Sequence, residues 1–368
     1  MRIGIDAKWY ASGNPSGLVV VRNLVDNIIL QSHKHNHEIL LFANKSDKYL
    51  LKGLEEKIKP LESVQIVYCI KALNFLSNMF ILPFYLRKYK IDVCLVQNFT
   101  PLFFNTNIKY VNYIHDFLFF DYPQYFTWIE RTVFKLMKST SSNAKEIITI
   151  SKSERARIKR YIPNKKIHVV YHGVSDAFSV ENRNDLVTLK YMLPKKFILY
   201  LGRINTRKNI EVILKAIKND ETLLPLVIIG KKDHKSFDID LYIKENAIDK
   251  RVFLLGHLPF EDLKVLISNA HIFVFPSFAE GFGMPPLESM KSGVPVIASN
   301  VSCMPEICGN AALYFNPYNS DELIRQIRNL MSDNSLYEQV VEKGFKQVEK
   351  YKWNKASEKI MSILTQQQ

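Results

Sequence analysis

Cysteine is scarce in this 368-residue chain: Cys69, Cys94, Cys303 and Cys308 are all there is, without zinc-site or thioredoxin spacing. A disulfide framework and a cysteine metal centre are thereby excluded, and in a reducing compartment all four are expected as thiols. Thirteen glycines and 15 prolines are too few for a disordered chain. No G-x-G-x-x-G fingerprint and no P-loop follows a strand-like run, which argues against dinucleotide or ATP chemistry. The uncharged stretch Ala72–Leu86 is too short to cross a bilayer and contains Pro83. A signal-peptide pattern is missing too, since the chain opens as a strand at Met1-Arg2-Ile3-Gly4-Ile5-Asp6; a cytoplasmic protein is expected. Without such a signal the glycosylation patterns at Asn98-Phe99-Thr100 and Asn300-Val301-Ser302 mean nothing.

Acidic residues are short as well, with 36 Asp/Glu against 50 Lys/Arg and a net charge of +14. The excess is uneven. Residues 1–180 hold 25 basic and 14 acidic side chains, whereas 181–368 hold 25 and 22. A basic N-terminal half fits nucleic acid, an anionic membrane or a phosphorylated substrate. No nucleic-acid motif accompanies it, so nucleic acid ranks last.

What is present is an alternation of apolar runs and helical periodicity. In the C-terminal half the runs are Phe197–Leu201, Leu226–Gly230, Val252–Gly256, Ile272–Phe275 and Val294–Ala298. Between them Asn209–Lys218, Asp238–Ala247, Phe260–Asn269 and Pro285–Ser292 carry helical spacing. Strands apolar throughout, alternating with helices, predict a parallel sheet covered on both faces. A further helix, Asp321–Met331, follows Asn319, with Glu322 placed for a capping box. The N-terminal half repeats the pattern at Ile3–Asp6, Ile39–Phe42, Val64–Tyr68, Val93–Gln97, Tyr110–Ile114 and Ile147–Ile150, with a helix from Leu18 to Gln31. The segment Ser175–Lys196 lacks periodicity, which sets the boundary between a domain at 1–178 and one at 179–352. The expected fold class is α/β: two Rossmann-like domains facing each other across a cleft.

The densest chemistry lies at Ala279-Glu280-Gly281-Phe282-Gly283-Met284-Pro285-Pro286-Leu287-Glu288. Glu280 is placed in the loop leaving a strand, and Glu288 about one turn inside the next helix, which Pro285 and Pro286 start and Gly293 with Pro295 end. In a parallel sheet that junction is where ligands bind. Glycines 281 and 283 allow backbone N–H groups to approach a ligand. A second set, Gly202-Arg203-Ile204-Asn205-Thr206-Arg207-Lys208-Asn209, leaves the first strand of the same half. Arg203 and Lys208 at a helix start oppose the macrodipole unless an anion such as diphosphate binds there. The bland readings are a solvated loop for the cations, a helix cap for Glu280 and a solvated helix residue for Glu288.

Taken together, these segments resemble the retaining glycosyltransferases of family 4, with their GT-B fold, over nearly the whole chain and most specifically between about 200 and 318. The resemblance makes Glu280 and Glu288 the family's E-x7-E signature. It implies that Glu280 contacts donor-sugar hydroxyls, that Glu288 accepts hydrogen bonds from the ribose, and that Arg203 and Lys208 neutralise the leaving diphosphate. Gly281, Phe282, Gly283, Met284 and Leu287 would complete the nucleotide-sugar site, with backbone N–H groups around Phe282–Met284 on the sugar and phosphate oxygens. Gly256-His257-Leu258 matches the base-contacting loop, and Asn300–Pro317 follows the family pattern. His115, after the strand Tyr110–Ile114, matches a histidine near the reacting sugar; read alone, it is more often a packed loop residue. Gly13–Gly17 matches the glycine-rich loop over the donor phosphates, led by Gly17, although Val19 stands where a second small residue is common. The segment from Trp353 (353–368) resembles a helix crossing back to the first domain.

The expected activity is transfer of a hexose, first choice mannose from GDP-mannose, to a glycan or lipid-linked acceptor in bacterial surface polysaccharide synthesis. UDP- and dTDP-sugars stay open, as does a nucleophilic role for Glu280 against same-face departure and attack. No cofactor or metal is expected: Asp238-Ile239-Asp240 imitates a metal motif but begins a helix and reads as solvated surface. The basic amphipathic stretches Leu73–Tyr89 and Tyr125–Lys138 read first as packed helices, and second as a shallow anchor on anionic lipid at the inner face of the plasma membrane. Two rivals keep the fold: a sugar-nucleotide epimerase, and a non-catalytic membrane-recruited subunit.

Overall fold

Apolar runs without alternation need cover on both faces, which a parallel sheet between helices provides. The computed structural model, which describes residues 1–13, 15–32, 36–102, 107–233 and 237–366, holds two such sheets. The chain divides into one unit of Met1–Gly173 with Lys352–Gln368 and a second of Val174–Tyr351.

The first unit carries β1 (Arg2–Asp6), β2 (Glu38–Asn44), β3 (Val64–Cys69), β4 (Val93–Gln97), β5 (Lys109–Ile114), β6 (Glu146–Thr149) and β7 (Lys166–Val169). They pair in parallel in the order β3-β2-β1-β4-β5-β6-β7. The central β4 is buried at every position, as a strand covered on both faces must be. β7 was not expected: Lys-Ile-His-Val is a four-residue edge strand, half exposed, and too short and polar to form an apolar run. The helix Trp353–Thr365 packs its Ile360, Met361, Ile363 and Leu364 into this unit. Gln31 Nε2 donates to its Asn354 carbonyl at 3.2 Å and Lys109 Nζ to Ile363 at 2.9 Å. Gly173 admits the start of that helix, because a Cβ there would lie 2.2 Å from the Trp353 nitrogen.

The second unit carries β8 (Ile198–Leu201), β9 (Leu226–Ile229), β10 (Val252–Gly256), β11 (Ile272–Phe275), β12 (Val296–Ser299) and β13 (Ala312–Phe315), in the parallel order β10-β9-β8-β11-β12-β13. Alternate strand residues Ile198, Tyr200, Leu226, Ile228, Ile272 and Val274 share one core with Ile213 and Ile217 of the helix Ile210–Asn219 and Leu323 and Ile327 of the helix Ser320–Ser332. Each such side chain contributes roughly 1.5–3 kcal/mol of burial. Asn319 caps the latter helix, accepting from the Asp321 and Glu322 nitrogens. The reciprocal half of the expected capping box is not made, because the Glu322 carboxylate accepts from the Asn316 nitrogen at 2.8 Å instead.

Among the described residues, no helix is long and apolar enough to cross a membrane, and all four cysteines are buried thiols outside any disulfide.

Candidate functional site

The strand order of the second sheet reverses between β8 and β11. Loops leaving two such strands diverge and open a crevice at their carboxyl ends. The two chemically rich segments are those loops. After β8, Asn205 accepts from the Lys208 nitrogen at 3.1 Å and closes a short 3-10 turn, Thr206–Lys208. Asn209 then takes a left-handed conformation (φ 53°), and its side-chain amide donates to Pro276 at 3.2 Å and Pro317 at 2.7 Å. The Phe278 nitrogen donates to the Arg207 carbonyl at 2.9 Å, and the Arg207 guanidinium donates to Ala279 at 2.5 Å. The β8 and β11 loops are thus sewn together, which sets Lys208 against Glu280.

Lys208 Nζ lies 2.6 Å from Glu280 Oε1, with the Arg207 guanidinium 3.0 Å from the same oxygen. All three side chains are 10–13% exposed. Burial alone would raise the Glu280 carboxyl, but Arg207 and Lys208 hold it down at about 2. Burial and the positive charge of Arg207 and Arg203 lower the Lys208 ammonium, against the pull of Glu280. Lys208 also stands 4.9 Å above the Phe275 ring. Glu280 is therefore no helix cap: the helix Met284–Lys291 begins at Gly283, and no side chain caps it among the described residues. Gly283 has φ 84°, a left-handed backbone that favours glycine, and a Cβ there would have to push aside the Met304 methyl from 2.4 Å.

The peptide of Glu280 is fixed from behind. Ser302 Oγ accepts from its nitrogen at 3.1 Å and donates to its carbonyl at 2.8 Å, and Cys303 Sγ lies 3.2 Å from that carbonyl. Glu288, on the fifth residue of the helix, makes no side-chain bond among the described residues, and burial pushes its carboxyl up to about 7. An unpaired, half-charged carboxylate can accept hydrogen bonds from a ligand.

Arg203 stands apart from the buried trio. It is exposed, with its guanidinium 3.0 Å from Asp233 Oδ2, yet near enough to act on Lys208 electrostatically. Phe282 and Leu287 bury their side chains, which leaves only backbone there for a ligand. Gly281 is buried; Gly283 and Met284 are half-buried. His257 is exposed just after β10, beside buried Leu258. Asp238 caps the helix Ile239–Glu245, Asp240 pairs with Lys232, and no metal-holding cluster occurs among the described residues.

Gly17 and His115 belong to the first unit. Gly17 is buried in the first turn of the helix Pro15–Gln31, while Asn14 of its loop lies outside the described residues. His115 follows β5: its nitrogen donates to Asn98 Oδ1 at 3.1 Å, and its Nε2 lies 2.9 Å from Gln97 Oε1. Burial lowers the ring to about 4, against a pull upward from Asp6.

Sequence reasoning passed over Arg207 and Ser302. For Arg207 a signal existed, since Arg207-Lys208 is a basic pair in a turn capped by Asn205. For Ser302 there was none, because its loop meets Glu280 only through the fold.

Two family models match the chain: "Glycosyltransferase Family 4" over residues 21–178, and "Glycosyl transferases group 1" over residues 189–347. The O-antigen chain mannosyltransferase B of Escherichia coli is 31% identical over 253 residues, 66% of this chain and 66% of that protein. The O-antigen chain mannosyltransferase RfbU of Salmonella typhimurium is 30% identical over 241 residues, 65% of this chain and 64% of its own length. The matches thus span just under two thirds of these relatives. A solved sucrose-phosphate synthase from Thermosynechococcus elongatus shares the fold at a TM-score of 0.75 and 18% identity, over 99% of this chain and 98% of the other. With both sheets and both halves matched in this way, the chain belongs to the glycosyltransferases of family 4 and group 1, with the GT-B fold.

Proposed function

We propose that the protein is a retaining hexosyltransferase of bacterial surface polysaccharide synthesis. It moves mannose, in the first instance from GDP-mannose, to a glycan or lipid-linked glycan. The carrying observation is the buried ion pair of Glu280 with Lys208 and Arg207 at the strand-order reversal of the second sheet. The names of the two mannosyltransferase relatives support the choice of sugar.

In this reading Lys208 and Arg203 take up the charge that grows on the leaving diphosphate, together with backbone N–H groups around Phe282–Met284, since Pro285 and Pro286 in the first helical turn offer none. Glu280 accepts hydroxyls of the donor sugar, and Glu288 accepts those of the ribose. His257 and Leu258 flank the base. The sugar leaves and is attacked on the same face, with the departing phosphate as base. No metal is required, since the side chains supply the positive charge. The uncommitted Glu288 carboxyl favours this reading over a non-catalytic subunit, which has no use for a half-buried carboxylate whose titration is raised and which bonds to no described side chain.

A panel of GDP-, UDP- and dTDP-sugars tested for protection against thermal unfolding checks the donor. GDP-mannose is expected to protect best, and no protection by any nucleotide sugar would sink the reading. The protection should depend on pH in a fixed sense. Glu288 titrates at about 7 and hydroxyls donate to its charged form, so affinity is full above that value. It should weaken as pH falls from about 8 to about 6, and Glu288→Gln should abolish the dependence.

Shallow membrane docking belongs to the same proposal. The helical stretch from Asn74 to Lys88, with a π-turn at Ser77–Ile81, buries Met79, Leu82 and Leu86 but leaves Phe84 76% exposed beside Arg87 and Lys88. The helix Trp128–Ser141 exposes Trp128 and Ile129 near Arg131 and Lys135. Exposed aromatic residues beside basic ones suit an anionic lipid surface. Sedimentation with anionic vesicles should fall as salt rises, and absence of binding at low salt would end the idea.

A further inference from the structure

The first sheet also reverses its strand order, between β1 and β4, so a second crevice opens beyond their carboxyl ends. A buried polar network forms its floor. Lys8 Nζ lies 2.6 Å from Asp6 Oδ1 and donates to Asn78 Oδ1 at 2.7 Å. Asn78 Nδ2 donates to Asp6 Oδ2 at 2.8 Å and to the Gln97 carbonyl at 3.0 Å. Gln97 closes β4, is 1% exposed, and meets the His115 ring through Oε1.

The network decides which way the Gln97 amide faces. Its Nε2 points at the Asp6 backbone carbonyl, 3.5 Å away, and a carbonyl can only accept. The amide oxygen is then the end that faces His115, and it too can only accept. The shared proton must sit on His115 Nε2, and a neutral imidazole has just one. His115 is neutral near pH 7, with Asp6 the one group pulling its titration upward. Asp6 is held in turn by Lys8, and the facing His172 ring, 6.4 Å away, is itself kept neutral by burial. Trp9 and Tyr113, with centroids 5.3 and 4.9 Å away, hold the ring plane. No described residue bonds to Nδ1.

We propose that Gln97 is a positioning residue: it locks His115 as the Nε2–H tautomer, which makes Nδ1 an acceptor for a hydroxyl of the bound sugar. The inference rests on the assignment of His115 to the sugar made above. A histidine fixed in this way accepts from a hydroxyl and cannot donate to an ether or carbonyl oxygen.

Long-range 15N–1H spectra of the full chain read the tautomer without any substrate. Nε2–H is expected near neutral pH, and Nδ1–H would overturn the lock. Gln97→Leu removes the acceptor; it should mix the tautomers and lower kcat by roughly 10²-fold with a smaller change in KM. Gln97→Glu restores an acceptor but favours the imidazolium. Its turnover should recover at alkaline pH, with the acid limb moved up by roughly one to three pH units. A purely structural Gln97 would leave that limb where wild type has it, and that result would also overturn the lock. The two readings fail separately: an Nε2–H ring in a protein that transfers no sugar upholds the lock and overturns the function, whereas transfer with an Nδ1–H ring does the reverse.

Discussion

Replacing Glu280 by glutamine is expected to lower sugar transfer by roughly 10²–10³-fold while nucleoside diphosphate binding survives. The size follows from what Glu280 touches. Its carboxylate pairs with both Lys208 and Arg207, and its charge is kept at all ordinary pH by those two cations. A neutral amide of the same shape still fills the space but holds a sugar hydroxyl less strongly. The variant should also unfold more easily without ligand, since the nearly buried Lys208 loses the carboxylate it pairs with, at a cost of about 3–5 kcal/mol. Diphosphate supplies that counter-charge, so its protective effect in a thermal scan should exceed that in wild type. Turnover is measured with a chelator present, which the metal-free reading requires the wild type to tolerate. Unchanged transfer by the variant would remove Glu280 from the chemistry.

Lys208→Met should match that loss, again roughly 10²–10³-fold, with the effect in kcat. The thioether chain can still lie on the Phe275 ring where the ammonium now stands. What disappears is the charge beside the leaving group. Arg203 provides the contrast. It is 61% exposed and leans on Asp233, so solvent screens its share of the growing charge, and Arg203→Met should lower kcat less than Lys208→Met and leave thermal stability unchanged. Because Lys208 and Glu280 form one unit, the double variant should lose much less than the sum of the two losses. Fully additive losses would mean that the pair does not act together.

Both sheets were legible in the sequence because their inner strands are apolar on both faces, as β4 and β11 are. Of the four edges, β3 and β10 were legible too, as Val64–Tyr68 and Val252–Gly256, but β7 and β13 were not: they are four residues each, partly exposed, and have no run to detect. The same division holds at the site. Glu280, Glu288 and Lys208 stood out because glycines, prolines and charges cluster around them at short range. Ser302 and Gln97 act across 22 and 18 residues of sequence, through loops that only sheet topology brings together. The bland reading of Glu280 as a helix cap fails for a related reason. An acid four residues before a helix looks like a cap until Lys208, 72 residues away, is seen to claim it.

The resting contact between Glu280 and Lys208 has a kinetic side as well. A lysine already occupied by a carboxylate is a poor trap for stray inorganic phosphate, which would have to strand Glu280 in order to bind. In the proposed reading a nucleotide sugar gives the acid hydroxyls in exchange, so it would be admitted without loss. Once the sugar has gone, Glu280 can reclaim Lys208 and help to expel the spent nucleotide. In that reading the 2.6 Å pair is a latch that would open for the whole donor and close behind the product.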